Sequence, residues 1–257
     1  MAHCAAHTAC ICAIHGGDGP VLVLLHGIAA NSDKWSPLVP LVQDHYRVIT
    51  IDLLGFGRSP KPQWDAYHLE DHLRHVHATI RRLRLREPFI LAGFSLGSLL
   101  ATRYARQHLH SVQRLLLLSP PVYAPLYTIT SRAARQRTAL YFRLYKFFRI
   151  HPRITPRNFE RLKHILPLPR SVIRNPITWV PFERTLEHCI EQQTILEDIT
   201  SATVPIDIMY GTLDSVIVPY NIEQLSGFVN VRIHRLSGVN HAISKRYASA
   251  VAKLLKR

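Results

Sequence analysis

A chain of 257 residues, 47% of them hydrophobic, is long and apolar enough to bury a core of its own, which excludes the disordered class. Lysine and arginine outnumber aspartate and glutamate by 32 to 17, and the resulting formal charge of +15 rests mostly on arginine, which suits anionic partners. No nucleic-acid-binding motif accompanies that charge, so nucleic acid is not expected as a partner, and no apolar run reaches the ~18 residues of a membrane span.

Residues 1–15 lack the cationic flank and continuous apolar stretch of a secretory signal, and four cysteines, Cys4, Cys10, Cys12 and Cys189, are too few for a disulfide framework. A cytoplasmic protein with reduced thiols is the default expectation. Cys10 and Cys12, with His3, His7 and His15 nearby, have the chemistry of zinc ligands, but at that spacing they equally share one face of a strand as small hydrophobes. No metal is expected.

Val21-Leu22-Val23-Leu24-Leu25, bounded by Gly19-Pro20 and His26-Gly27, reads as a strand buried on both faces. Ser32 or Asp33 caps a predicted helix running to about residue 44, and residues 47–51 form the next strand before the turn-rich segment 52–59. Then follow a helix over 68–84, a strand over 89–92, a helix over 96–107 and a strand over 112–118. His68, His72 and His75 share one face of the first of these helices and are expected to form an exposed polar face rather than a metal site. The pattern stops at Ser119-Pro120-Pro121, and about 65 residues rich in arginine, proline and aromatics follow without a buried strand. Alternation resumes with a helix over 185–198, a strand over 206–210, a helix over 219–225, a strand over 231–236 and a helix over 242–255. These elements predict an α/β fold with a mostly parallel central sheet flanked by helices. The core is assigned to residues 1–118 and 187–257, with a helical cap inserted at 119–186.

Gly93-Phe94-Ser95-Leu96-Gly97 lies between a predicted strand and a predicted helix, the context a nucleophile elbow requires. The glycines leave room for a sharp turn that holds Ser95 in a strained conformation. A serine hydroxyl needs a base, and the base needs a carboxylate to orient it. Asp214 follows the strand 206–210 and His241 the strand 231–236, both at strand C-terminal ends, where parallel sheets place their sites. The expected roles are Ser95 as nucleophile, His241 as general base and Asp214 as its orienting acid. The backbone amides of Leu96 and of Ile28 are the candidate oxyanion donors, and His26 is read as structural.

With His26-Gly27-Ile28-Ala29, Asp52-x-x-Gly-x-Gly-x-Ser59, Gly93 to Gly97, Gly211-x-x-Asp214 and a C-terminal histidine, the chain resembles the α/β-hydrolase superfamily over nearly its full length. Its capped esterases, carbon-carbon bond hydrolases and carrier-protein methyl esterases are the most similar. Serine at position 95 departs from the epoxide hydrolases and haloalkane dehalogenases, which use aspartate there. The resemblance implies hydrolysis of a small-molecule carboxylic ester through an acyl-enzyme, without a cofactor. The same three residues can serve a lactone, a thioester or a vinylogous carbon-carbon bond, and a non-catalytic ligand receptor on the same fold is the alternative of another class. The resemblance also puts Trp35, Phe94, Tyr123 and Tyr127 at the pocket, with packing in the core the equal alternative for Trp35, Tyr123 and Tyr127. The arginine-rich cap, with one face apolar and one cationic, is expected to dock an acidic carrier protein or an anionic lipid surface.

Overall fold

The computed structural model describes residues 9–150 and 179–256. Seven strands, β1 (Cys12–His15), β2 (Val21–Leu25), β3 (Arg47–Ile51), β4 (Phe89–Phe94), β5 (Val112–Leu118), β6 (Ile206–Gly211) and β7 (Val231–Leu236), form one sheet in the order β1-β3-β2-β4-β5-β6-β7. β1 pairs antiparallel with β3, Cys12 opposite Ile51, and every other pairing is parallel. The apolar runs behave as doubly buried strands do. In β2, Val23 and Leu25 enter the hydrophobic cluster on one face while Leu22 and Leu24 enter that on the other.

Each face has its own helices. α1 (Val39–Val42) and the final helix, α8 (Lys245–Leu255), cover one face through Val39, Val42, Tyr247 and Val251. The other face is covered by α2 (Leu69–Arg82), α3 (Leu96–Gln107) and α6 (Ile195–Ser201) through Val76, Leu99 and Ile199. α6 and α3 are locked by Asp198, which is 1% exposed and receives Arg103 Nε at 2.8 Å and Arg106 Nη1 at 2.9 Å. Between β5 and β6 the chain leaves the sheet. There it forms α4 (Arg132–Ile150), α5 (Trp179–Thr185) and a π-helical turn (Leu186–Glu191). The remaining helix, α7 (Pro219–Glu223), follows β6.

Several expectations need correction. The helix predicted from Ser32 or Asp33 to residue 44 is a 3-10 turn (Ser32–Trp35) followed by the short α1, because Pro37 and Pro40 each remove an amide donor and fix φ. The predicted helix over 185–198 is divided among α5, the π turn and α6. His72, expected on an exposed face, is fully buried: its Nε2 meets the Thr185 hydroxyl at 3.1 Å and its ring stacks parallel to Phe56. Burial pushes its pKa down to about 3. Among the described residues no group of three or more His, Cys, Asp or Glu side chains is placed to hold a metal, and no helix is long and apolar enough to cross a membrane. Cys4, His3 and His7 lie outside the described residues, as does the part of the proposed cap at 151–178.

Candidate active site

The sheet changes winding direction between β2 and β4, since β3 lies on one side of β2 and the chain then crosses to β4 on the other. Loops leaving neighbouring strands at such a point diverge and open a crevice. Two sequence motifs meet there. Ser95, directly after β4, has φ +53° and ψ −118°, a region that side chains rarely adopt, and its amide donates to Leu118 O at 2.9 Å. The turn is too tight for a side chain at its flanks: a Cβ on Gly93 would lie 2.1 Å from Gly97 O, and one on Gly97 would lie 2.2 Å from Leu25 O. Ser98, immediately beyond, uses its small hydroxyl to donate to Gly93 O at 2.7 Å.

The loop after β2 lies against this turn, for a Cβ on Gly27 would sit 3.1 Å from Ser95 Cβ. His26 anchors the loop. Leu53 N–H donates to its Nε2 at 2.9 Å, so that nitrogen carries no proton. Nδ1 therefore donates to Gly27 O at 2.7 Å. Complete burial pushes the His26 pKa down to about 4, so the ring serves this clamp in its neutral form. Behind it, Asp52 accepts from Ser32 N–H, Ser32 O–H and Arg58 N–H at 2.7, 2.6 and 2.8 Å. Gly57, at φ +53°, leaves the carboxylate its space, since a Cβ there would come within 2.4 Å of it. Ile28 is thereby held on a rigid loop beside Ser95. Leu96 opens α3, where the first amides of a helix have no partner within the helix itself.

Asp214 and His241 are brought together from the ends of β6 and β7. His241 Nδ1 lies 2.7 Å from Asp214 Oδ2, and Asp214 Oδ1 accepts the Val216 amide at 2.9 Å. The Asp214 side chain is buried. Burial by itself would raise its pKa, but the bond and charge of His241, the Val216 amide and the Ser119 hydroxyl more than offset this and hold it below the usual carboxylate range. An ionised Asp214 makes Nδ1 the donor and leaves Nε2 as the basic nitrogen. Phe94 packs against His241, ring centroids 4.8 Å apart, which sets the histidine beside the residue preceding Ser95.

The four expected pocket residues separate. Tyr123 is buried and donates to Val216 O at 2.6 Å, and Phe94 is buried against His241. Trp35 is fully buried in the same cluster as α1 and α8, so it packs the core. Tyr127, 88% exposed, lies on the surface. Sequence reasoning missed a set of groups that hold the acid loop. Besides Tyr123, the Tyr141 hydroxyl donates to Ser215 O, and Arg137 Nη2 donates to Asp214 O at 3.3 Å. Arg137 and Tyr141 share one side of α4 at i, i+4, which is the only signal the sequence offered for them.

A parallel sheet with a strained serine after its central strand and an Asp–His pair at neighbouring strand ends defines the class, and comparison with known proteins gives it a name. The chain belongs to the alpha/beta hydrolase fold family, whose family model matches residues 20–156. Among curated proteins, "Probable lysophospholipase BODYGUARD 4" of Arabidopsis thaliana is 32% identical over 120 residues, 45% of this chain and 29% of that protein. The pimeloyl-[acyl-carrier protein] methyl ester esterase of Legionella pneumophila (strain Corby) is 36% identical over 102 residues, 39% of this chain and 38% of that one. The matched segment thus spans well under half the length of either relative. The solved structure of the enol-lactonase from Burkholderia xenovorans LB400 superposes with a TM-score of 0.70 at 21% identity, covering 96% of this chain and 94% of that one; it shares the fold.

Proposed function

We propose that this chain is a serine hydrolase that cleaves a carboxylic ester through an acyl-enzyme on Ser95. The observation that carries the reading is the pairing of buried Asp214 with half-buried His241, 2.7 Å apart, at the strand ends next to a serine held at φ +53°. In the proposed reaction Ser95 Oγ attacks the ester carbonyl carbon and passes its proton to His241 Nε2, while Asp214 stabilises the imidazolium. The carbonyl oxygen becomes an oxyanion and accepts from the amides of Leu96 and Ile28. As the tetrahedral adduct collapses, the alcohol leaves with the proton from His241. Water then attacks the acyl-enzyme, giving its proton to Nε2, and the acid departs as Ser95 Oγ recovers a proton. No cofactor enters this sequence.

The segment 119–186 is proposed as a cap over this site, a reading supported by the bonds from α4 and Tyr123 to the loop 214–216. A cytoplasmic setting is part of the proposal, and the free thiols of Cys10, Cys12 and Cys189 are consistent with it. The reading is tested by a hydrolysis screen over esters of increasing acyl length, lactones and thioesters, run on the full chain and on Ser95→Ala. We expect turnover of at least one ester, lost by about 10⁴-fold or more in the variant with its melting curve retained. Undiminished hydrolysis by Ser95→Ala would reject it.

A further inference from the structure

α4 has a side that ester hydrolysis does not use. The helix, RAARQRTALYFRLYKFFRI, contains no acidic residue. Its inner side buries Ala134 and Thr138 and packs Tyr141, Phe142 and Tyr145 against the core. At 100° per residue, Arg132, Arg135, Arg143 and Lys146 fall within an arc of about 80° whose centre is turned roughly 100–160° from Ala134, Thr138 and Tyr141, in a stripe about 21 Å long. All four are exposed, and among the described residues none of them is drawn into an ion pair. Beside this stripe, and displaced from it by about 60° or less, lie Leu140 and Phe147, 52% and 42% exposed.

We infer that this outer face of α4 is a docking surface for an anionic lipid bilayer. Cations in a row without counter-charges gain attraction at a surface of negative headgroups, and apolar side chains among them can enter the boundary between headgroups and acyl chains. An acidic protein would answer the cations alone, whereas the exposed apolar surface of Leu140 and Phe147 beside them suits the boundary between headgroups and acyl chains, so the lipid surface accounts for more of the face. The inference deepens the proposed function, on which it rests in one respect: the ester cleaved would belong to an amphiphile held at that surface. The same helix reaches the Asp214 loop from its inner side through Arg137 and Tyr141. A docked helix therefore sets the site about one helix diameter from the headgroups.

Binding is measured without reference to catalysis, by sedimentation of the full chain with vesicles of phosphatidylcholine alone and of phosphatidylcholine with phosphatidylglycerol in equal parts. Each lysine or arginine near an anionic surface is worth roughly fivefold in partitioning. We expect binding to the anionic vesicles only, weakening steeply with added salt. The variant combining Arg132→Gln, Arg135→Gln, Arg143→Gln and Lys146→Gln should lose at least about 50-fold. The variant combining Leu140→Ser and Phe147→Ser should lose several-fold with its salt response intact. Equal binding to both vesicles, no binding to either, or binding to soluble poly-L-glutamate in place of anionic vesicles would overturn the inference. If the fourfold variant fails to fold, the salt response of the unaltered chain and the Leu140→Ser, Phe147→Ser pair decide the matter. Loss of hydrolysis in Ser95→Ala leaves these results unaffected, so the two readings fail separately.

Discussion

Two histidines sit uncharged in the core, and their chemistry makes stability depend on pH. Burial lowers His26 to about 4 and His72 to about 3, from an ordinary value of 6.5. Between those values only the unfolded chain binds the proton, so stability rises with pH and is lost as pH falls from about 6.5 towards 4. Each histidine contributes a slope of roughly 1.4 kcal/mol per pH unit in that window. Denaturant unfolding of the chain and of His72→Gln checks this: the stability advantage of the unaltered chain should shrink by roughly that slope on acidification, whereas parallel pH profiles would refute it. At this scale the sequence was legible where a residue's place follows from its motif. The places of Ser95, Asp214 and His241, after β4, β6 and β7, could be read because strand ends and glycines bracket them. Trp35 and Tyr127 could not, because an aromatic side chain suits a core, a pocket or a surface equally well, and only the path of the backbone decides. His72 was misplaced for a related reason: a histidine on an amphipathic helix looks polar until the partner that meets its Nε2, Thr185 at 113 residues' distance, is known.

Elements were legible where a local pattern of residues specifies them. The strands 21–25, 47–51, 112–118 and 231–236 agree with their predicted bounds, since β-branched and apolar residues bracketed by turn signals leave few alternatives. β1 lies at the sheet edge against β3 and alternates too weakly to announce itself, with only its cysteine spacing hinting at a strand. The π turn Leu186–Glu191 is set by tertiary contacts, including Cys189 Sγ to Tyr67 O at 3.3 Å, and nothing local encodes it. The link between α4 and the acid loop belongs to this scale and is testable there. Tyr141→Phe keeps the ring and removes the bond to Ser215 O, a loss of about 1 kcal/mol. We expect kcat to fall about fivefold with KM little changed, because the loop that carries Asp214 is held less firmly against His241. An unchanged kcat with a raised KM would assign Tyr141 to substrate binding instead.

The whole molecule joins a conventional core to a strongly cationic exterior. The formal charge of +15 is visible in the composition, but its meaning depends on which cations are already answered. Arg103, Arg106 and Arg114 are tied to buried carboxylates, whereas Arg132, Arg135, Arg143 and Lys146 stand in one row on α4. Composition cannot make that division. The order of the sheet similarly explains why residues from positions 26 to 241 converge. The winding reverses between β2 and β4, which brings the His26 loop to Ser95, and β6 and β7 then carry Asp214 and His241 to the same edge. If that convergence makes an activated nucleophile, one serine should differ from every other in the chain. Treatment with a fluorophosphonate followed by peptide mapping measures this directly. We expect a single stoichiometric adduct on the peptide containing Ser95, absent from Ser95→Ala and strongly slowed in His241→Ala; no adduct, or one on another serine, would contradict the assignment of Ser95 as the nucleophile.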